Sequence, residues 1–341
     1  MLSRNTLFFV FLAASIFILS SCSQSCKCKE LESVDGVFYK KDSKSLYTGT
    51  CTSKIYGITK IQNFKDGKLN GKLESKNENG KLSSFTSYRD GVKEGWSVSF
   101  YPDGTKEKED KYLEDKKNGI SRTWYPSGEV KSEGKYHKGD RDGIHTEWFE
   151  NGVKHREMSY FQGAKHGIWI VWYENGKTKT KGKYVNGNKE GQWTTWYESG
   201  GLKEEQVYND GLADGEWKIW FENGTLNEKG VYNKGHKEGE WDTWYSSGQL
   251  KSKYEYKSDV LAGIFSTWYE NGTLWETGQF ADNEKSGRCS TYYDNGRKES
   301  IANYSHGVFD GKVIIWLTSG EKEVQIFKEG EKLNTKIEPV F

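Results

Sequence analysis

Glycine, aromatic and charged positions recur along this chain with a fixed period of 24 residues. A glycine opens each unit at 71, 95, 119, 143, 167, 191, 215, 239, 263, 287 and 311, and a second follows nine residues later, from Gly80 to Gly320. A Tyr, once Phe280, stands seventeen residues after each opening glycine, from Tyr88 to Tyr304. A period of this length marks a repeat array in which each unit is one supersecondary element. In the unit opened by Gly167, the run Gly167-Ile-Trp-Ile-Val-Trp-Tyr173 is β-branched and aromatic, as a strand requires. Asn175-Gly176 is the pair a two-residue type I′ hairpin turn favours. Residues 177–185 read as the return strand, and Asn186-Gly187 with Asn188-Lys189-Glu190 as a second turn leading to Gly191. Each unit is expected to be two antiparallel strands and two turns.

A two-residue loop at Asn175-Gly176 sets the pairing. Tyr173 then faces Thr178, Trp172 faces Lys179 and Trp169 faces Gly182. The same pairing sets an inner Trp opposite Lys or His at Trp124/Lys131, Trp148/His155, Trp196/Lys203 and Trp244/Lys251. This predicts a stripe of cation–π or alkyl-on-ring contacts, each worth ~0.5–1 kcal/mol where exposed. The opposite face is expected to carry the terminal Tyr, Leu202, Leu226, Leu250 and Leu274, and a second row of Trp169, Trp193, Trp217 and Trp241. A further period of 48 places Gly134, Gly182, Gly230 and Gly278 in alternate units, with Met158, Gln206, Tyr254 and Ala302 between them. Either large and small residues interdigitate along the sheet, or a two-hairpin ancestor was duplicated with no structural consequence.

The ends of the chain read differently. Residues 1–21 have a signal peptide's pattern, with Arg4 near the start and an apolar run over 6–19. That run is shorter than the roughly 20 residues a membrane-spanning helix needs. Leu19-Ser20-Ser21-Cys22 resembles the bacterial lipobox, which implies lipidation at Cys22 and a membrane-anchored lipoprotein exported to the cell envelope. Residues 22–35 are polar and are expected to be a lipidated tether. An irregular cap over 36–70, regular repeats over 71–310, a final cap over 311–330 and a polar tail over 331–341 complete the array. Cys26 and Cys28 in the tether are either exposed thiols or the source of one bridge to Cys51, and Cys289 is the remaining candidate for pairing. Neither they nor the six histidines have the spacing of a zinc site, so no metal is expected.

Hydrophobic residues make up only 34% of the chain while aromatics reach 15%, and 39 glycines accompany 3 prolines. A thick aliphatic core is not available to such a sequence. The expected fold is all-β, an elongated single-layer antiparallel meander of tandem hairpins, on the order of 100 Å long at about 4.8 Å per strand. The net charge of +1, with Lys and Glu interleaved, leaves no basic footprint for nucleic acid.

The recurring Trp-Tyr-Glu-Asn-Gly, followed by Gly-x-Tyr-x-x-Gly and Lys-Glu-Gly, resembles the MORN repeat, in the bacterial variant of the YwqK-type antitoxin family. Gly36-Val-Phe-Tyr39 with Tyr47-Thr48-Gly49 is similar to the way those proteins begin. The resemblance spans roughly 36–330. It implies a ribbon of hairpins that serves as a binding or scaffolding surface, and the antitoxin name implies neutralising a toxin by binding it. No phosphate loop, HExxH or GxSxG motif occurs, and each carboxylate recurs with the repeat, so neither catalysis nor a cofactor is expected. The expected partner is an unidentified protein, a toxin or an envelope component. The alternative is cell-wall carbohydrate or choline stacked on the Trp/Tyr ladder. The candidate binding surface is Trp172, Trp196, Trp220 and Trp244 with Lys179, Lys203 and Lys251, in central units where neighbours on both sides order the rings.

Overall fold

A computed structural model describes residues 25–339. The signal-peptide reading of residues 1–21 and the lipidation reading of Cys22 fall outside the described residues. The described residues divide into two compact units, one ending at Gly104 and the other beginning at Thr105.

In the second unit the strands form an antiparallel meander from Lys106–Leu113 to Glu331–Pro339, interrupted once where Val260–Leu261 and Gly263–Trp268 both pair with Leu250–Lys257. The hairpin Ala164–Trp172 with Thr178–Val185 is representative. Its register pairs Trp169 with Gly182 as the sequence pattern predicts, and then slips at a bulge between Val171 and Trp172, so that Trp172 pairs with Thr178 and not with Lys179. The cause is the turn. The Gly176 N–H donates to the Tyr173 carbonyl at 3.0 Å and the Tyr173 N–H to the Lys177 carbonyl at 2.9 Å. Gly176 alone in this loop has a positive φ, +83°. This is a turn closed by a bulge glycine, with one loop residue more than a type I′ turn has. The type I′ geometry occurs at the other Asn-Gly, where Asn186 and Gly187 have φ of 49° and 92° and Val185 pairs with Asn188. Asn188-Lys189-Glu190, expected as a link, therefore opens the next strand, Asn188–Trp196.

The opening glycine of each unit lies inside that strand. Between Lys181 and Lys183 the partner jumps from Thr194 to Glu190, so the facing strand carries extra residues there. Gly191, with φ +67°, absorbs the bend. This explains a glycine every 24 residues where no loop exists.

The turns of successive hairpins are tied to one another. The Tyr173 hydroxyl donates to the Trp196 carbonyl at 2.8 Å, and Tyr197 and Tyr245 repeat the contact with Trp220 and Trp268. At the opposite edge the Gly187 N–H reaches the Lys165 carbonyl at 2.8 Å. Each hairpin thus meets the backbone needs of its neighbour.

The first unit is folded differently. Residues expected as a tether are ordered: Ser25–Lys27 pairs in parallel with Gly49–Ile55, and Leu31–Val34 forms a hairpin with Val37–Lys40. Leu31, Tyr47, Cys51 and Phe64 are buried together there, with Phe38 against Phe64 at 4.7 Å between ring centroids. Cys28 is bonded to Cys51, which is the tether-to-Cys51 bridge of the two sequence readings. At the far end of the second unit, residues expected as a polar tail form the strand Glu331–Pro339, paired along its length with Glu321–Lys328.

Candidate functional site

Successive side chains of a strand point to opposite faces, so the two Trp rows of each outgoing strand, three residues apart, separate. One row, Trp169, Trp193, Trp217 and Trp241, alternates with the terminal tyrosines in an unbroken ring ladder. Trp169–Tyr184–Trp193–Tyr208–Trp217–Tyr232–Trp241–Tyr256 runs with centroids 4.9–6.4 Å apart, mostly edge to face. Lysines close over it. Lys189 sits 4.6 Å from Trp193 and 4.4 Å from Tyr208, and Lys237 sits 3.8 Å from Trp241. Burial pulls the Lys189 ammonium below its ordinary value and pushes the Tyr184, Tyr208, Tyr232 and Tyr256 phenols up.

The period of 48 belongs to this face. A Cβ placed on Gly182 would come within 2.2 Å of the Trp193 ring, and one on Gly230 within 2.1 Å of the Trp241 ring. Large and small residues do interdigitate, and the covering ring comes from the following unit. Trp169 and Trp217, opposite these glycines across their own hairpins, do not supply it. His145 covers Gly134 in the same way, and Cys289 with Phe265 covers Gly278. Trp193 and Trp241 are only 5% and 3% exposed, and their indole N–H groups donate to the Lys183 and Val231 carbonyls.

The second row, Trp172, Trp196, Trp220 and Trp244, is half-buried on the other face. Trp196, Trp220 and Trp244 pair with Leu202, Leu226 and Leu250, which moves those leucines from the ladder face, where the sequence placed them, to this one. The lysines also differ from expectation. Lys179, Lys203 and Lys251 lie 5.4–5.5 Å over Tyr173, Tyr197 and Tyr245, not over Trp172, Trp196 and Trp244. Likewise Lys131 lies over Tyr125, and His155 packs on Phe149. The bulge leaves Lys179, Lys203 and Lys251 as the extra residue of the return strand next to the turn, so the cation meets the ring one position nearer the turn. The face is therefore a file of Trp–Leu pairs beside a parallel file of Tyr–Lys pairs.

Hollows open along this face. One of about 520 Å³ is lined by Trp196, Thr178, Lys177 and Gly200. Another, of about 660 Å³, is lined by Trp316, Tyr293, Lys298 and Arg297. Trp316 stands at the same repeat position as Trp196, so the 24-residue period contained the signal for it, although central units seemed better ordered. Exposed Ile120, Ile144 and Ile168 add an apolar row in consecutive units. Among the described residues, no group of three or more His, Cys, Asp or Glu is placed to hold a metal ion.

The MORN repeat variant matches this chain in seven tandem copies, at residues 117–138, 141–162, 165–186, 189–210, 213–234, 237–258 and 261–282. No curated protein matches. A solved structure described as "Crystal Structure of TcdB2-TccC3" is similar at 10% identity over 80% of this chain, with a TM-score of 0.18. The match spans 18% of that structure's chain, and so slight a likeness carries no argument here. Seven consecutive matches, each falling on one antiparallel hairpin, identify the chain as a MORN-repeat protein of the variant type, a repeat scaffold or binding protein.

Proposed function

We propose that this chain is a non-enzymatic binding protein that holds another protein on its Trp–Leu face. In this reading it is anchored to a bacterial envelope through a lipid on Cys22 and acts as a scaffold or as a toxin-neutralising protein of the YwqK type. The observation that carries the reading is the division of the two Trp rows. In the ladder row Trp193 and Trp241 are buried over glycines and under lysines, whereas Trp172, Trp196, Trp220 and Trp244 all keep part of their surface open, Trp196 beside a hollow, with exposed Lys179, Lys203 and Lys251 on the neighbouring tyrosines. Trp and Tyr are enriched among the anchors of protein recognition surfaces.

The test offers the full chain in parallel to envelope extract and to purified cell-wall glycan. A protein retained in stoichiometric amount, and bound at least tenfold more weakly by Trp196→Ala/Trp220→Ala with unchanged circular dichroism, is the expected result. Retention on glycan released by choline or free sugar, with no protein captured, overturns it in favour of carbohydrate or choline binding.

A further inference from the structure

The buried cluster of the first unit brings three cysteines together. Cys51 is 1% exposed and bonded to Cys28, with 5.0 Å between their Cα atoms. Cys26 is free and is the in-register partner of Cys51 in the parallel strand pair, between Ser25↔Thr50 and Lys27↔Thr52. Partners on adjacent strands lie about 4.8 Å apart, within the roughly 4.4–6.8 Å between Cα atoms that a disulfide spans. Cys26 and Cys28 both pack against the cluster of Leu31, Tyr47, Cys51 and Phe64. Cys51 thus has two neighbouring cysteines, Cys28 bonded to it and Cys26 free and in register with it, which only Lys27 separates along the chain.

The two thiol positions differ in access. Cys26 lines a cavity of about 640 Å³ together with Tyr47, Lys29, Lys40 and Lys41, whereas Cys51 is closed to solvent. An outside thiol therefore has no direct path to Cys51, whereas Cys26 holds the in-register position on the adjacent strand and packs against the cluster that contains Cys51.

We propose that Cys26, Cys28 and Cys51 form a thiol–disulfide exchange centre in which Cys51 passes between Cys28 and Cys26. The Cys26 thiol gives its proton to water, and the thiolate attacks the Cys51 Sγ. The Cys26–Cys51 bond forms as the Cys28–Cys51 bond breaks. The Cys28 sulfur leaves with the electron pair and takes up a proton. One disulfide and one thiol stand on each side of the step, so no oxidant or reductant is consumed. The crosslink moves from the turn Cys28–Glu30 into the strand Ser25–Lys27, which gives the segment leading into the repeats two covalent settings.

Exchange is tested on the full wild-type chain by native labelling with N-ethylmaleimide, followed by mass mapping of labelled and bonded cysteines without reduction. The expected result is a population with Cys28 labelled and Cys26 bonded to Cys51, appearing faster as pH rises because the thiolate is the nucleophile. In a thiol/disulfide buffer, Cys28→Ser is expected to form Cys26–Cys51, while Cys26→Ser keeps Cys28–Cys51. Among Cys26, Cys28 and Cys51, labelling confined to Cys26 in the wild type at every pH and time overturns the proposal. So does a folded Cys28→Ser chain in which Cys26 and Cys51 both remain labelled. If Cys28→Ser does not fold, the wild-type labelling decides alone.

Discussion

Trp241 and Trp244 lie on one strand, three residues apart, and meet opposite circumstances. Trp241 covers the bare backbone of Gly230, is flanked edge to face by Tyr232 and Tyr256, and is capped by Lys237. Trp244 meets Leu250 across its hairpin and is left half open. Residue type is the same in both places, so the neighbours decide the role. A glycine on the preceding strand makes one tryptophan structural, and the absence of such a partner leaves the other available.

The largest expected effect separates the two rows directly. Trp241→Ala removes a ring with contacts on all sides and should cost ~3–5 kcal/mol. Trp244→Ala should cost about a third to a half of that, because part of its surface already faces water and less area is returned to solvent. Hydrogen exchange across Leu226–Asn233 and Leu250–Lys257 reads both, since a repeat array can open locally. Equal loss of protection in the two variants would break the comparison.

Next in size is the glycine that makes the site. Gly230→Ala places a methyl against the Trp241 ring and should destabilise by ~1–3 kcal/mol. Pairing it with Trp241→Leu should recover part of that loss, and a double-mutant cycle of chemical denaturation measures the coupling. Additive costs would mean that ring and glycine do not act as a unit. On the open face, Lys203→Ala removes a cation from Tyr197 and should cost only ~0.5–1 kcal/mol. The cost should vanish in a Tyr197→Leu background, whereas a cost that vanishes only with Trp196→Leu would restore the pairing expected from sequence.

The smallest effect tests the ladder where His145 replaces a tryptophan. Its ring stacks edge-on between Tyr136 and Tyr160, and its Nε2 lies 2.8 Å from the Lys135 carbonyl. Burial, reinforced by Arg141 and opposed by that carbonyl and by Asp142 and Glu147, holds the imidazole below its ordinary value of 6.5. A base whose folded value is lowered stays neutral in the fold and takes up its proton more readily in the unfolded chain. Its contribution is therefore complete above about pH 6.5 and declines as pH falls from there toward the folded value. The melting temperature of the wild type should fall more between pH 7.5 and 5.5 than that of His145→Gln, and identical slopes would remove His145 from the ladder's account.

Much of this architecture was legible because hairpins are local. Strand existence, the pairing of Trp169 with Gly182 and the assignment of two Trp rows to two faces follow from alternation and a period of 24. The turn at Gly176 was misread because Asn-Gly serves two loop geometries that differ by one residue. That single residue carried Lys179, Lys203 and Lys251 from tryptophan to tyrosine. The polar composition of 22–35 and 331–341 suggested tether and tail, yet strand pairing satisfies backbone groups whatever the side chains are. The candidate residues Trp172, Trp196, Trp220 and Trp244 were found by period alone, and Trp316 shares their position.

Sequence alone determined the repeat, its hairpin content and its family, because each unit carries its own alternation and turn glycines. Only the tertiary structure decided which tryptophans are buried, which ring fills the space above Gly182 and Gly230, and which of two neighbouring cysteines holds Cys51. These depend on contacts between successive units or between strands that the turn chemistry of one hairpin does not encode, since a side chain is buried by what stands beside it in space and not by its own identity.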